Sequence, residues 1–157
     1  MKLSSLLYGL TVGVTLFLAL PFVLVQANDI FRLPVFGHYF LQPVGVIFIV
    51  VGGGLFSYCS GIFAVVGRGS PVPIDPPEVL ITSGAYRYTR NPMHLSYLAI
   101  FLGEFLFLGH LALLLYFLAM CIFIPVFVIK VEEPELKKRF GQKYVDYTKK
   151  VPRFLFR

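Results

Sequence analysis

Three apolar stretches, at residues 3–27, 40–66 and 92–130, reach or exceed the roughly 20 residues that carry a helix across a bilayer. The third is too long for one crossing and must fold back on itself, with Leu108-Gly109-His110 as the turn. That gives helices over 92–108 and 110–129 and about four spans in all. The expected fold is an all-α integral membrane protein with a C-terminal helical hairpin and a cytoplasmic amphipathic tail helix, in a single domain over residues 1–157. Val25-Gln26-Ala27 faintly resembles a signal-peptidase site on a stretch that begins behind Lys2. The apolar region of a signal peptide runs to only about 7–15 residues, so this longer stretch reads as a retained first helix.

Composition agrees with a bilayer as solvent. Of 157 residues, 57% are hydrophobic and 14% charged, with a mean hydropathy of +0.79, too little polar surface to cover a soluble globule. Cys59 and Cys121 fall inside apolar stretches as small buried hydrophobes, without disulfide or zinc spacing, and no metal is expected. The net charge of +6 comes from basic residues beside the spans, where topology and anionic lipid account for it better than a nucleic-acid partner does. With an even number of spans, both termini share a side with the loop 67–91, and that side holds every Lys and Arg except Arg32. The positive-inside rule makes it cytoplasmic and leaves 28–39 and the hairpin turn outside.

Gly9/Gly13 and Gly53/Ser57/Gly61 recur at four-residue intervals, a spacing that lets helix backbones approach. Pro21 and Pro125 fall near span ends or interiors, where kinks are tolerated if neighbours satisfy the freed carbonyls. Pro71, Pro73, Pro76 and Pro77, with Gly67, Gly69 and Gly84, make the long loop an ordered, non-helical cover. In the tail, Leu136, Phe140, Tyr144, Tyr147 and Val151 recur at helical intervals. Glu133 serves as cap and Pro134 as first helical residue, with Glu133/Lys137 and Glu135/Arg139 as i,i+4 pairs. Glu104 is an intramembrane charge roughly 20 Å of helical rise from Asn91, assigned to packing, interface anchoring or a substrate passage.

Residues able to carry chemistry gather at the cytoplasmic end of the hairpin. Tyr86-Arg87-Tyr88-Thr89-Arg90-Asn91-Pro92-Met93-His94 enters the third span, and Glu132-Glu133 leaves the fourth, where a helix C-terminus disfavours anions. Antiparallel neighbours pack roughly 8–10 Å apart, so the two clusters face one groove. The helix start, with Arg87 or Arg90, suits a carboxylate. Glu132 and Glu133 can accept hydrogen bonds from a ribose diol or an ammonium, and Tyr86, Tyr88 or Tyr144 can stack on a base. S-adenosylmethionine has all these features, although interfacial ion pairs anchoring the hairpin would also account for the charges. His94 reads as a general base, a hydrogen-bonded interfacial residue or a helix-start polar group.

The stretch from Ser83-Gly84-Ala85-Tyr86-Arg87 to Asn91-Pro92-Met93-His94 resembles the G-x-Y-R-x-x-R-[HN]-P-x-Y signature of the isoprenylcysteine carboxyl methyltransferase and phospholipid methyltransferase superfamily of membrane enzymes. Glu132-Glu133, followed by Phe140-Gly141, Tyr144, Tyr147 and Val151-Pro152-Arg153, resembles its closing block. The resemblance covers about 67–157, the expected cofactor-binding half. It implies S-adenosylmethionine enclosed by the hairpin and the C-terminal segment, with contacts near Tyr86, Arg90, Asn91, Pro92, Met93, His94, Glu132 and Glu133. The stacking argument adds Tyr144. Asn91 stands where the superfamily often has His, and His94 where it has Tyr.

Methyl transfer from a sulfonium is an in-line displacement, so alignment and exclusion of water dominate. Arg87 or Arg153 would orient an anionic acceptor, and His94 would receive the proton of a neutral amine; these three are the candidate catalytic residues. The expected acceptor is a lipid-like or small amphiphilic carboxylate, thiol or amine, approaching the cytoplasmic face near the apolar 79–81. Rival readings are a sterol-reductase-like, nicotinamide-dependent enzyme, which shares an R-N-P signature but is larger, and a non-catalytic membrane scaffold.

Overall fold

The computed structural model describes residues 3–37, 39–69 and 75–154; Lys2, Pro71 and Pro73 of the sequence reading lie outside them. Regular structure among the described residues is helical. Helices α1 (Leu3–Ile30), α2 (Gln42–Val65) and α4 (Leu111–Phe140) are long and apolar enough to cross a membrane, and α3 (Pro92–Leu108) is a shorter apolar helix. A last helix, α5, spans Gln142–Lys150. The expected all-α membrane fold is borne out. The hairpin turns where expected: Gly109 stands at φ 74°, a left-handed position open to glycine, and its N–H donates to the Phe105 carbonyl at 2.7 Å to end α3.

Two prolines shape the long helices. Pro21 and Pro134 each come two residues after a π-helical segment, Thr15–Ala19 and Val128–Glu132 respectively. Proline lacks an N–H, and its ring collides with the carbonyl four residues back; a widened turn takes up the misfit without ending the helix. The expectation of a separate tail helix capped by Glu133 is thereby corrected, because α4 runs on through Glu133 to Phe140. The chain breaks instead at Gly141, with φ 56°. Glu135 pairs with Arg139 as expected, but Glu133 turns away from Lys137 to Arg90 and Arg153. The apolar face of the tail is real, and it packs Leu136, Phe140, Tyr144, Tyr147 and Val151 with Leu80 of the cover segment.

Helices α2 and α3 make the most extensive contact, along a seam of glycines. A Cβ on Gly45 would come within 2.7 Å of the Gly103 carbonyl oxygen, and one on Gly52 within 2.8 Å of Ile100 Cγ1. Ser96 is fully buried beside them and donates its hydroxyl to the Met93 carbonyl at 2.6 Å. The four-residue series expected to pack does not do so: a Cβ at Gly13, Gly53 or Gly61 would meet nothing within 4 Å. The contact instead follows Gly45, Gly52 and the buried Cys59, about two helical turns apart.

At the hairpin-turn end, Asn28 is fully buried. Its Nδ2 donates to the Leu33 carbonyl and its Oδ1 accepts from the Ala112 N–H, both at 3.1 Å, so one side chain closes the α1 loop and caps α4. The Phe36 N–H donates to the Gly109 carbonyl at 2.7 Å and the Leu111 N–H to the Pro34 carbonyl at 3.1 Å.

Candidate functional site

The opposite end of the bundle is built by the approach to α3. Gly84, at φ 62°, starts a short 3-10 turn, Gly84–Arg87, that sends Tyr86 inward. Tyr86 is buried, meets the Phe63 ring edge-on at 5.9 Å, and accepts at its carbonyl a 2.6 Å hydrogen bond from the Tyr147 hydroxyl. Burial pushes both phenols well above the ordinary tyrosine range, reinforced at Tyr86 by Cys59, so both keep their protons as donors.

Pro92 is buried as the first residue of α3, where a missing N–H costs nothing. Just before it, three hydrogen bonds stitch the chain to the C-terminal segment. The Arg90 N–H donates to the Pro152 carbonyl at 2.9 Å. Thr89 Oγ1 and Asn91 Nδ2 both donate to the Arg153 carbonyl, at 3.1 and 2.9 Å. Asn91 thus spends its amide on holding the tail.

Glu133 lies between two guanidinium groups. Arg90 Nη1 is 2.9 Å from its Oε1, while Arg153 grips both oxygens, Nε to Oε1 at 2.7 Å and Nη2 to Oε2 at 2.9 Å. Arg90 Nη1 also donates to the Tyr144 hydroxyl at 3.4 Å, and Arg90 Nε is buried without an acceptor among the described residues. The hydrogen bonds to Glu133 hold the Arg153 guanidinium above its usual value. Tyr144 is likewise raised, by burial first and the Glu133 charge second, against the lowering pull of Arg90 and Arg153. The adjacent carboxylates therefore part ways. Glu133 is saturated by arginines, whereas Glu132 has the His94 imidazole beside it, Nε2 to Oε1 at 3.5 Å. Successive residues of a helix point about 100° apart, which lets the two carboxylates take different partners.

A cleft of about 930 Å³ opens here, bordered by Tyr86, Arg90, Asn91, Met93, His94 and Glu132, with apolar walls from Phe63, Phe127 and Leu136. A second pocket of about 470 Å³ adjoins it, adding Leu80, Glu133, Tyr144 and Tyr147. Both are open at the surface, and the volumes include that open space. Arg87 is exposed and borders neither. Arg153 and Pro92 also border neither; the one is committed to Glu133 and the other shapes the helix start. Tyr88 is exposed. Thr89, the Pro152 carbonyl and the polar role of Tyr147 were not expected. The closing V-P-R triplet is their one visible trace, an extended segment after a helix.

A bundle of apolar helices with a polar cleft at one end defines a helical membrane protein with a candidate ligand site. The phospholipid methyltransferase family model matches residues 41–143, more than half of the chain, and the chain belongs to that family of membrane methyltransferases. The resemblance seen in the sequence is borne out, and the match extends it back through α2 while stopping short of Tyr144 to Arg153. No curated protein and no solved structure matches the chain.

Proposed function

We propose that the protein transfers a methyl group from S-adenosylmethionine to a lipid-like or small amphiphilic acceptor at the cytoplasmic membrane face. It does so as a single-domain, multi-pass protein with both termini cytoplasmic, the orientation supported by its Lys and Arg distribution. One observation carries the reading: Glu132, beside a twice-neutralised Glu133, borders a cleft that aromatic rings, Met93 and His94 share with Arg90, Glu135 and Arg139.

The residues fit the cofactor. Glu132 suits its hydroxyl or ammonium hydrogens. The buried Arg90 Nε is a donor lacking an acceptor among the described residues, a match for a carboxylate. Phe63, Tyr86 and Phe127 offer flat surfaces for a base. When bound, the cofactor supplies an electrophilic methyl carbon. The chain's own part is to position and to keep water out: the Arg90–Glu133–Arg153 cluster locks the approach to α3, and the apolar walls exclude solvent. His94 takes the proton of an amine acceptor, with the Glu132 carboxylate steadying the charge, while a carboxylate or thiolate acceptor needs no base. Arg87, exposed outside both pockets, is free to meet an anionic acceptor arriving from the cytoplasm. The family match supports methyl transfer over nicotinamide-dependent reduction.

Incubating purified protein with methyl-labelled S-adenosylmethionine and a total membrane lipid extract tests this. Label passing into the organic phase, and lost in Glu132→Ala, is the expected result. Absence of transfer to lipid, thiol and amphiphile panels, with binding of a reduced nicotinamide instead, would return the reductase reading; absence of both would leave a scaffold.

A further inference from the structure

A second hollow lies apart from the cleft. Phe17, Pro21 and Phe22 of α1, Gly53 and Phe56 of α2 and Glu104 of α3 border a groove of about 1090 Å³. Phe22 is largely exposed, which places the mouth of the groove on the lipid-facing surface. Aromatic rings close its inner end, with Phe17, Phe56 and Tyr97 centred 5.3–6.0 Å from one another. The π-helical segment that relieves Pro21 carries Phe17 into this wall, and such segments recur at functional sites.

Glu104 is the polar exception. The residue borders the groove, and its Oε2 has no hydrogen-bond partner among the described residues, a costly state in hydrocarbon unless a donor arrives. Ser57, also on the groove, is spent on the Gly53 carbonyl at 2.9 Å. Helical rise places Glu104 about 6 Å from the Leu108 end of α3, the end away from the cleft. An occupant must therefore be long and apolar and carry one donor near the membrane boundary on that side. The floor is open as well, because a Cβ on Gly53 would meet nothing within 4 Å.

We propose that this groove holds a membrane lipid of the leaflet opposite the cleft, its acyl chain lying along Phe17, Phe22 and Phe56 and its headgroup ammonium donating to Glu104. The proposal is independent of the methyl-transfer reading. The test places the protein in lipid nanodiscs containing phosphatidylethanolamine with a photoactivatable diazirine in the acyl chain, and maps the labelled peptides. Label is expected on the α1 and α2 residues bordering the groove, and roughly tenfold less in Glu104→Leu, which removes one charge-assisted hydrogen bond. Gly53→Leu, whose added side chain starts from an open Cβ position on the groove, and a matching phosphatidylcholine probe, which has no N–H, should likewise label weakly. Equal labelling of all three proteins, equal labelling by both probes, label confined to the peptides of the polar cleft, or a groove covered by a second copy of the chain would each overturn it.

Discussion

Arg153 holds Glu133 in a bidentate clasp, Nε to Oε1 at 2.7 Å and Nη2 to Oε2 at 2.9 Å, across 20 residues of sequence. The clasp ties the last described segment to the end of the helical hairpin. Arg90 completes it from the start of α3 at 2.9 Å. Both cations serve one carboxylate, so Glu133 is a structural anion at the centre of the site.

Breaking the clasp should therefore cost stability as well as activity. We expect Glu133→Gln to lower stability by roughly 2 kcal/mol, less than a fully buried pair would lose because the Arg153 side chain is 36% exposed. Thermal unfolding in detergent reads this as a fall of about 4–8 °C at this chain length. An unchanged midpoint would mean that Glu133 is held for ligand binding alone.

The glycine seam makes a sharper contrast. Gly52→Leu and Gly103→Leu drive a side chain into α2–α3 contacts already closer than 3 Å at a Cβ, and overpacking of this kind costs about 1–3 kcal/mol or more. Gly61→Leu, facing open space, should leave the melting midpoint unchanged. Equal sensitivity at all three positions would show that the seam is misassigned.

Much of this was legible in the sequence. An apolar stretch too long for one crossing, with Gly109 in it, dictates a hairpin, and a hairpin brings residue 90 to residue 133. Three things were not legible, each for a physical reason. Which of Glu132 and Glu133 is taken up by arginines depends on where Arg90 and Arg153 lie, and a helical wheel does not contain those partners. The packing glycines are spaced by seven, so Gly53/Ser57/Gly61, with the familiar four-residue step, drew attention to the open face. Asn28 acts across 84 residues on the Ala112 N–H, a partnership without local signature.

Asn28 gives a test at the far end of the bundle. Asn28→Ala leaves the Ala112 N–H and the Leu33 carbonyl without their partner, and each buried group so orphaned costs about 1–3 kcal/mol. Lower stability with unchanged affinity for a ligand of the cleft is expected. A selective loss of binding would contradict the separation of the two ends.

Tyr86 and Tyr147 link stability to alkaline pH. Burial raises both phenols above the ordinary tyrosine value of about 10, so above that pH the unfolded chain releases protons that the folded protein retains. Stability is then fully present below pH 10 and falls as pH rises beyond it. Melting curves between pH 9 and 11 should show the fall, and Tyr147→Phe, besides losing about 1 kcal/mol with its bond to the Tyr86 carbonyl, should flatten it. A slope identical to wild type would remove Tyr147 from this account.

Calorimetric titration of the detergent-purified protein with S-adenosylhomocysteine, run on wild type and on Glu132→Ala with melting curves alongside, is the most direct measurement. We expect the wild type to bind and Glu132→Ala to lose at least tenfold in affinity, about 1.4 kcal/mol, while its melting midpoint holds because the Arg90–Glu133–Arg153 cluster is untouched. Wild-type protein that binds no S-adenosylhomocysteine, or a Glu132→Ala variant that binds as tightly as wild type, would contradict the assignment of the cleft.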